Sequence, residues 1–304
     1  MASGIRYNLA RDPDKVALIC DGRELTYAQL VDRIDRVAAL APALGLQPGD
    51  RAAIVAANCI EYLESVDGLA GASIAVATPN PHQTAAEIGY ILEDLRACTS
   101  VERVIVIGPE CDDLLAQTRP APSPAAIADW SAFSIPYTSG TTGKPGGVAL
   151  PHRPRALLGF CMASEFGCYG PDDRFLAVTP MFHGAGFSFA HAAVFFGGTC
   201  EIMTSFVPEQ FLRRLSDGGA TGTFLVPTIF NALFALERPI LDRYHTNSLR
   251  ALISNAAPLP QKTREVRRWA TVASRCSIRC WTTPGPQPWP TSPKSRPAAT
   301  ARIC

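Results

Sequence analysis

Apolar and polar positions along this chain fall into blocks that alternate between strand and helix periods. Val16 to Cys20 and Glu24 to Thr26 flank Asp21-Gly22, a turn pair between apolar runs, which predicts a hairpin. Thr26 with Gln29 forms a capping-box signature, and Leu30, Ile34, Val37 and Ala41 then share one helical face that Pro42 and Gly45 close. Gln47-Pro48-Gly49-Asp50 reads as a turn into an apolar strand, Arg51 to Ala57. A helix over about Ile60 to Leu69, a strand over Ile74 to Ala77, a helix from Thr84 and Glu87 to Leu95, and a strand over Val104 to Ile107 follow. Arg119 to Ala125, with three prolines, reads as a linker or a surface loop.

The second half repeats the rhythm. A strand is expected around Phe133 to Tyr137, a helix over Arg155 to Glu165 and a strand over Phe175 to Val178. Next come a helix over Phe206 to Leu215, a strand over Thr223 to Val226 and a helix from Pro227 to Leu236. A strand over Leu249 to Ser254 and a helix over Pro260 to Trp269 complete the pattern. Such alternation argues for an α/β fold with a mainly parallel sheet.

Composition narrows the function classes. With 28 basic and 27 acidic side chains in 304 residues the formal charge is +1, which points neither to nucleic acid nor to an anionic membrane. Met1 to Lys15 has no apolar core of a secretory signal. The most apolar window, Gly184 to Met203, holds His191 and is cut by Gly197 and Gly198, so it reads as a buried element and not a membrane span. The ten cysteines form no CxxC pair, and Cys276 and Cys280 have no histidine nearby to complete a zinc site. Reduced thiols in the cytoplasm and no metal site are the expectation.

The candidate chemistry centres on Tyr137-Thr138-Ser139-Gly140-Thr141-Thr142-Gly143-Lys144-Pro145-Gly146-Gly147-Val148. Glycines let a backbone approach an anion and turn N–H groups toward it. Hydroxyls donate to phosphate oxygens, and Lys144 adds a mobile positive charge. By composition alone the other reading is a flexible Ser/Thr/Gly linker. It is not a Walker loop, because Pro145 and not Ser or Thr follows Lys144; that counts against a P-loop phosphotransferase. A second candidate is Thr179-Pro180-Met181-Phe182-His183-Gly184-Ala185-Gly186, an aromatic, a histidine and small residues at a strand end. A lone histidine among apolar residues is otherwise a structural one. A third is Asn255-Ala256-Ala257-Pro258-Leu259, either an ordinary strand-to-helix loop or a small-residue turn that a flat base can approach.

The run YTSGTTGKP, followed by a short apolar strand and Leu150-Pro151-His152-Arg153, resembles the phosphate-binding signature of the AMP-forming acyl-CoA synthetases and adenylate-forming enzymes. Leu25-Thr26-Tyr27, the Gly45-x-x-x-Gly49-Asp50 turn, Asn58 with Glu61-Tyr62, and Glu87 with Tyr90-Ile91-Leu92 resemble the opening of the same family. The resemblance implies the N-terminal domain of that fold, with stacked α/β subdomains and the small C-terminal domain absent from this chain. It implies that Thr138, Ser139, Gly140, Thr141, Thr142, Gly143 and Lys144 cradle the β- and γ-phosphates of ATP, with Lys144 easing pyrophosphate departure. His183 falls at the family position beside the carboxylate under attack, and Ala256, Ala257 and Pro258 fall beside adenine. The strip Gly186 to Phe196 and the Val226-Pro227 turn would line the acyl pocket. ATP, Mg2+ and coenzyme A are the implied cofactors, and a carboxylic acid the implied substrate.

Three departures accompany the resemblance. Gly146 stands where the family has a second lysine. A strand and helix that the family carries after the position of Leu95 are missing. After Glu265 no acidic residue occurs, prolines crowd Trp281 to Pro297, and the resemblance ends near Trp269. A reading-frame shift near that point accounts for the change; a basic unstructured arm is the other reading. The family's Tyr-Gly-x-Thr-Glu run, which helps hold magnesium, and its later lysine have no match here. The expected organisation is a first α/β subdomain over 1–125, a second with the phosphate loop over 126–269, and a disordered tail over 270–304. The expected function is a truncated acyl-CoA synthetase, weak or inactive alone, with a non-catalytic nucleotide- or acyl-binding remnant as the alternative.

Overall fold

The computed structural model describes residues 2–95, 104–120, 127–138, 145–245, 247–254 and 277–280. The chain opens with helix α1 (Ala2–Arg11) and the expected hairpin of β1 (Val16–Cys20) and β2 (Arg23–Thr26). Asp21 and Gly22 turn it with φ of 48° and 81°, the left-handed pair that suits right-twisted strands. Helix α2 (Tyr27–Ala43) starts at a complete capping box: Thr26 accepts from the Gln29 N–H and Gln29 accepts from the Thr26 N–H. Leu30, Ile34, Val37 and Ala41 are all buried, as their spacing requires.

The chain continues through β3 (Arg51–Ala53), α3 (Ile60–Gly71), β4 (Ala75–Thr78), α4 (Ala85–Leu95), α5 (Pro109–Gln117) and β5 (Ala132–Thr138). The short strands β6 (Gly146–Gly147) and β7 (Leu150–Pro151) fold back antiparallel onto β5, and α6 (His152–Phe166) follows. Then come β8 (Arg174–Ala177), α7 (Gly184–Phe195), β9 (Thr199–Ile202), α8 (Pro208–Asp217), β10 (Gly222–Leu225), α9 (Pro227–Phe234), α10 (Arg238–Leu241), β11 (Ala251–Ser254) and β12 (Ser277–Cys280).

Two sheets result among the described residues. One runs β12-β11-β10-β8-β9-β1-β2, parallel except for the β1–β2 hairpin; the other runs β3-β4-β5-β6, with β7 also on β5. Helix α3 touches β4 and β5 of one sheet and β1 of the other. A single core therefore joins Leu18, Tyr27, Phe133, Phe175, Phe187 and Phe224. Tyr27 ties into it by donating to the carbonyls of Val194 and Gly198 at 2.9 and 2.8 Å.

Several expectations change. β1 and β2 join the sheet of β8 to β12, while β5, which leads into the phosphate loop, pairs with β4. Hydrogen-bonding partners, not chain order, assign a strand to its sheet. Val104 to Ile107 forms no strand. It pairs with none of the described strands, Val104 and Val106 are exposed, and only Ile105 packs, against Val37, Cys111 and Leu115. An apolar run without a ladder partner has nothing to make it extended. The strand expected over Arg51 to Ala57 stops at Ala53. Ser277 to Cys280 form β12, which lies parallel to Ala251 to Ser254 along the edge of β11. The helix expected over Pro260 to Trp269 lies outside the described residues.

Candidate functional site

Sheet topology sets the place of the site. From β8 the chain passes through α7 to β9 on one side, then through α8 to β10 on the other side of β8. Strand order therefore reverses at β8. At such a switch point the connections diverge and leave a crevice at the carboxyl ends of the strands. Val178 to His183 leave β8 at that end and lead into α7. β11 runs parallel to β10, so Ser254 ends on the same side of the sheet as Leu225. Ala256, Ala257 and Pro258 lie outside the described residues.

The turn that presents His183 is pinned from beneath. Asn58, buried ahead of α3, accepts from the Met181 N–H at 2.8 Å and donates to the carbonyls of Met203, Thr179 and Val178 at 3.1, 3.3 and 3.4 Å. Thr78, at the end of β4, donates to the Phe182 carbonyl at 3.1 Å, and Thr179 donates to the Phe224 carbonyl at 2.8 Å. His183 is the N-cap residue of α7 and is exposed, with its ring 4.5 Å from that of Phe182. Protein on one side desolvates the imidazole and lowers its pKa below the ordinary value, which favours the neutral ring at neutral pH. The first turn of α7 is Gly184-Ala185-Gly186. A side chain on Gly186 would overlap the Pro180 carbonyl oxygen and stand 2.9 Å from that of Thr179, so only glycine lets the turn fold this tightly.

The hydroxyl-and-glycine run, the candidate phosphate loop, follows β5 in the chain. Ser139, Gly140, Thr141, Thr142, Gly143 and Lys144 lie outside the described residues, as does the side chain of Thr138. The flanks of this run are paired antiparallel, Tyr137 with Gly147 and Thr138 with Gly146. Tyr137 donates to Asp94 at 2.7 Å, fixing that end to α4. Among the described residues, no atom outside the adjoining positions stands within 4 Å of a Cβ built on Gly146. Pro136 of β5 lies 3.8 Å from the same construction on Gly184, which sets the strand beside the start of α7.

Sequence reading missed Arg155. It is buried on α6 and donates to Ser134 of β5 at 3.1 Å, to the Gly184 carbonyl at 3.3 Å and to Ser188 of α7. Nothing in Arg153-Pro154-Arg155 distinguishes a buried arginine from an exposed one. Asn58 was visible as part of the opening pattern, but its role as a turn anchor was not.

The AMP-binding enzyme family matches residues 5–278. The chain belongs to that family. The match extends past Trp269, where the sequence motifs stop, and reaches into β12. Among relatives, a fatty acid–[acyl-carrier-protein] ligase, ScoC, of Streptomyces coeruleorubidus is 27% identical over 281 residues, covering 84% of this chain and 53% of its own. A medium/long-chain-fatty-acid–CoA ligase, FadD8, of Mycobacterium tuberculosis is 27% identical over 298 residues, covering 87% and 52%. The chain thus spans about half the length of these relatives. The ATP-bound structure of MatB from Rhodopseudomonas palustris superposes with a TM-score of 0.78 at 26% identity, over 92% of this chain and 59% of that one. The N-terminal domain of FACL13 from Mycobacterium tuberculosis gives a TM-score of 0.81 at 22% identity, over 92% and 75%. The mixed α/β fold is that of the N-terminal domains of adenylate-forming enzymes.

Among the described residues no three His, Cys, Asp or Glu side chains gather as a metal site. No described helix is long and apolar enough to cross a membrane. Burial raises the thiol pKa of Cys20 to about 11 and of Cys59 to about 12, which leaves both protonated and unreactive at neutral pH.

Proposed function

We propose that this chain forms the nucleotide- and acyl-recognition part of an AMP-forming acyl-CoA ligase. The observation that carries the reading is the place of His183, at the carboxyl end of the switch strand β8 and at the head of a helix that starts with small residues. A helix N-terminus favours an anion, and small residues let a carboxylate come close to it. The neutral imidazole of His183 donates one hydrogen bond to that carboxylate and orients it. Thr138 to Lys144, at the end of β5, hold the β- and γ-phosphates of ATP. The carboxylate oxygen attacks the α-phosphorus and pyrophosphate leaves; a thiol such as that of coenzyme A then attacks the acyl carbon and releases AMP. Protein groups supply position and spread the developing phosphate charge. Ala256, Ala257 and Pro258 border the adenine in this reading.

Losing one preorganised charge contact costs ~3–4 kcal/mol, a factor of ~10²–10³ in rate. The Tyr-Gly-x-Thr-Glu run and the later lysine of the family have no counterpart in these 304 residues. By themselves the residues therefore bind ATP and acid but turn over little. A pyrophosphate-release assay across a panel of carboxylic acids, run beside calorimetry with ATP, tests both statements. Binding with slow release is expected. Turnover near that of intact relatives overturns the second statement, and absence of ATP binding overturns the first.

A further inference from the structure

We infer that Arg155 is a positioning residue that sets the distance between the phosphate-loop strand β5 and the His183 end of α7. The inference rests on the ligase reading of these two elements. Arg155 sits on neither of them. From α6 its guanidinium donates to Ser134, four residues before Thr138 on β5, and on the other side to the Gly184 carbonyl and to Ser188 of α7. Ser188 donates in turn to the Gly184 carbonyl at 2.6 Å, so its hydroxyl oxygen is left to accept from the arginine. The planar fork of one side chain thus spans both candidate halves of the site, where a lysine has a single point of attachment.

A packing role does not explain an arginine here. The residue is 6% exposed and forms no ion pair among the described residues; its contacts are neutral oxygens and the face of Phe187, 5.6 Å from the guanidinium carbon. Burying a cation without a carboxylate costs stability, and leucine or methionine would fill the space without that cost. Burial lowers its pKa only to about 10, so the group stays charged and keeps all its donors at neutral pH. Its Nε–H has no hydrogen-bond partner among the described residues. Arg155 lines a cavity of about 10 Å³ between α6 and α7, with Ser188 and His191, which is room for about one bridging water. The costly choice of residue is accounted for by what it connects.

The test separates the two half-sites by ligand. ATP alone reaches the phosphate loop, whereas an unreactive acyl-adenylate mimic bound together with pyrophosphate has to engage the loop and the His183 side at once. Calorimetry on folded R155M is expected to show ATP affinity within twofold of wild type and mimic affinity at least fivefold weaker, with R155K recovering part of the loss. Mimic affinity less than fivefold weaker, or equal losses for both ligands, overturns the positioning role. Where R155M does not fold, S134A and S188A each remove one contact and keep the cation. At least a threefold loss for the mimic alone is then expected, and a smaller one overturns the inference. Wild-type protein that binds neither ligand overturns the ligase reading itself, and this inference with it.

Discussion

The Met181 N–H donates to the Asn58 side-chain carbonyl at 2.8 Å, across 123 positions of sequence. That bond and the three that Asn58 donates to Val178, Thr179 and Met203 hold the turn before His183 against the ends of β8 and β9. Asn58→Ala leaves those buried groups unpaired, and each orphaned group costs about 1–3 kcal/mol. We expect a loss of about 2–3 kcal/mol in urea unfolding, and weaker binding of an acyl-adenylate mimic under conditions where the variant is still folded. An unchanged midpoint would mean that the turn holds its shape without the amide.

Gly186→Ala drives a methyl group into the Pro180 carbonyl oxygen. Overpacking of this kind typically costs about 1–3 kcal/mol. Because the strain falls on the turn itself, mimic affinity is expected to drop more than ATP affinity. Gly146→Lys is the opposite case. The site is open, so stability should stay within about 0.5 kcal/mol. An added charge beside the phosphate loop is worth up to about 1 kcal/mol, so ATP binding should tighten by about two- to fivefold and the gain should shrink in high salt. Calorimetry at two salt concentrations reads both effects.

His152 gives the fold an acid-sensitive term. Burial beside Phe133 lowers its pKa from 6.5 to about 4. Between those values the unfolded chain binds the proton and the folded chain does not. The stabilisation is therefore fully present above pH 6.5 and is lost as pH falls toward 4. For one group shifted this far the linkage is about 2 kcal/mol between pH 7 and pH 5. Urea unfolding at those two pH values should show a smaller decline for His152→Gln than for wild type. An equal decline in both proteins would place the acid sensitivity elsewhere.

Local chemistry of the residues determined much of this protein on its own. The Asp21-Gly22 turn, the Thr26–Gln29 capping box and the apolar face of α2 are short-range matters, and all three stand as the pattern reads. So does the alternation of strand and helix, because a period of two or of 3.6 is written into neighbouring residues. The hydroxyl-and-glycine run and the PMFHGAG segment were legible for the same reason, as continuous motifs.

Tertiary structure alone decided which strand joins which sheet. It sent β1 and β2 to the sheet of β8 and gave Val104 to Ile107 no strand partner among the described residues, since a strand exists only where another backbone satisfies its N–H and C=O groups. It also turned Asn58 and Arg155 into anchors of the candidate site. An amide or a guanidinium has no fixed meaning in sequence; its partners lie on elements that meet only when the chain is folded, and burial is what makes those bonds matter.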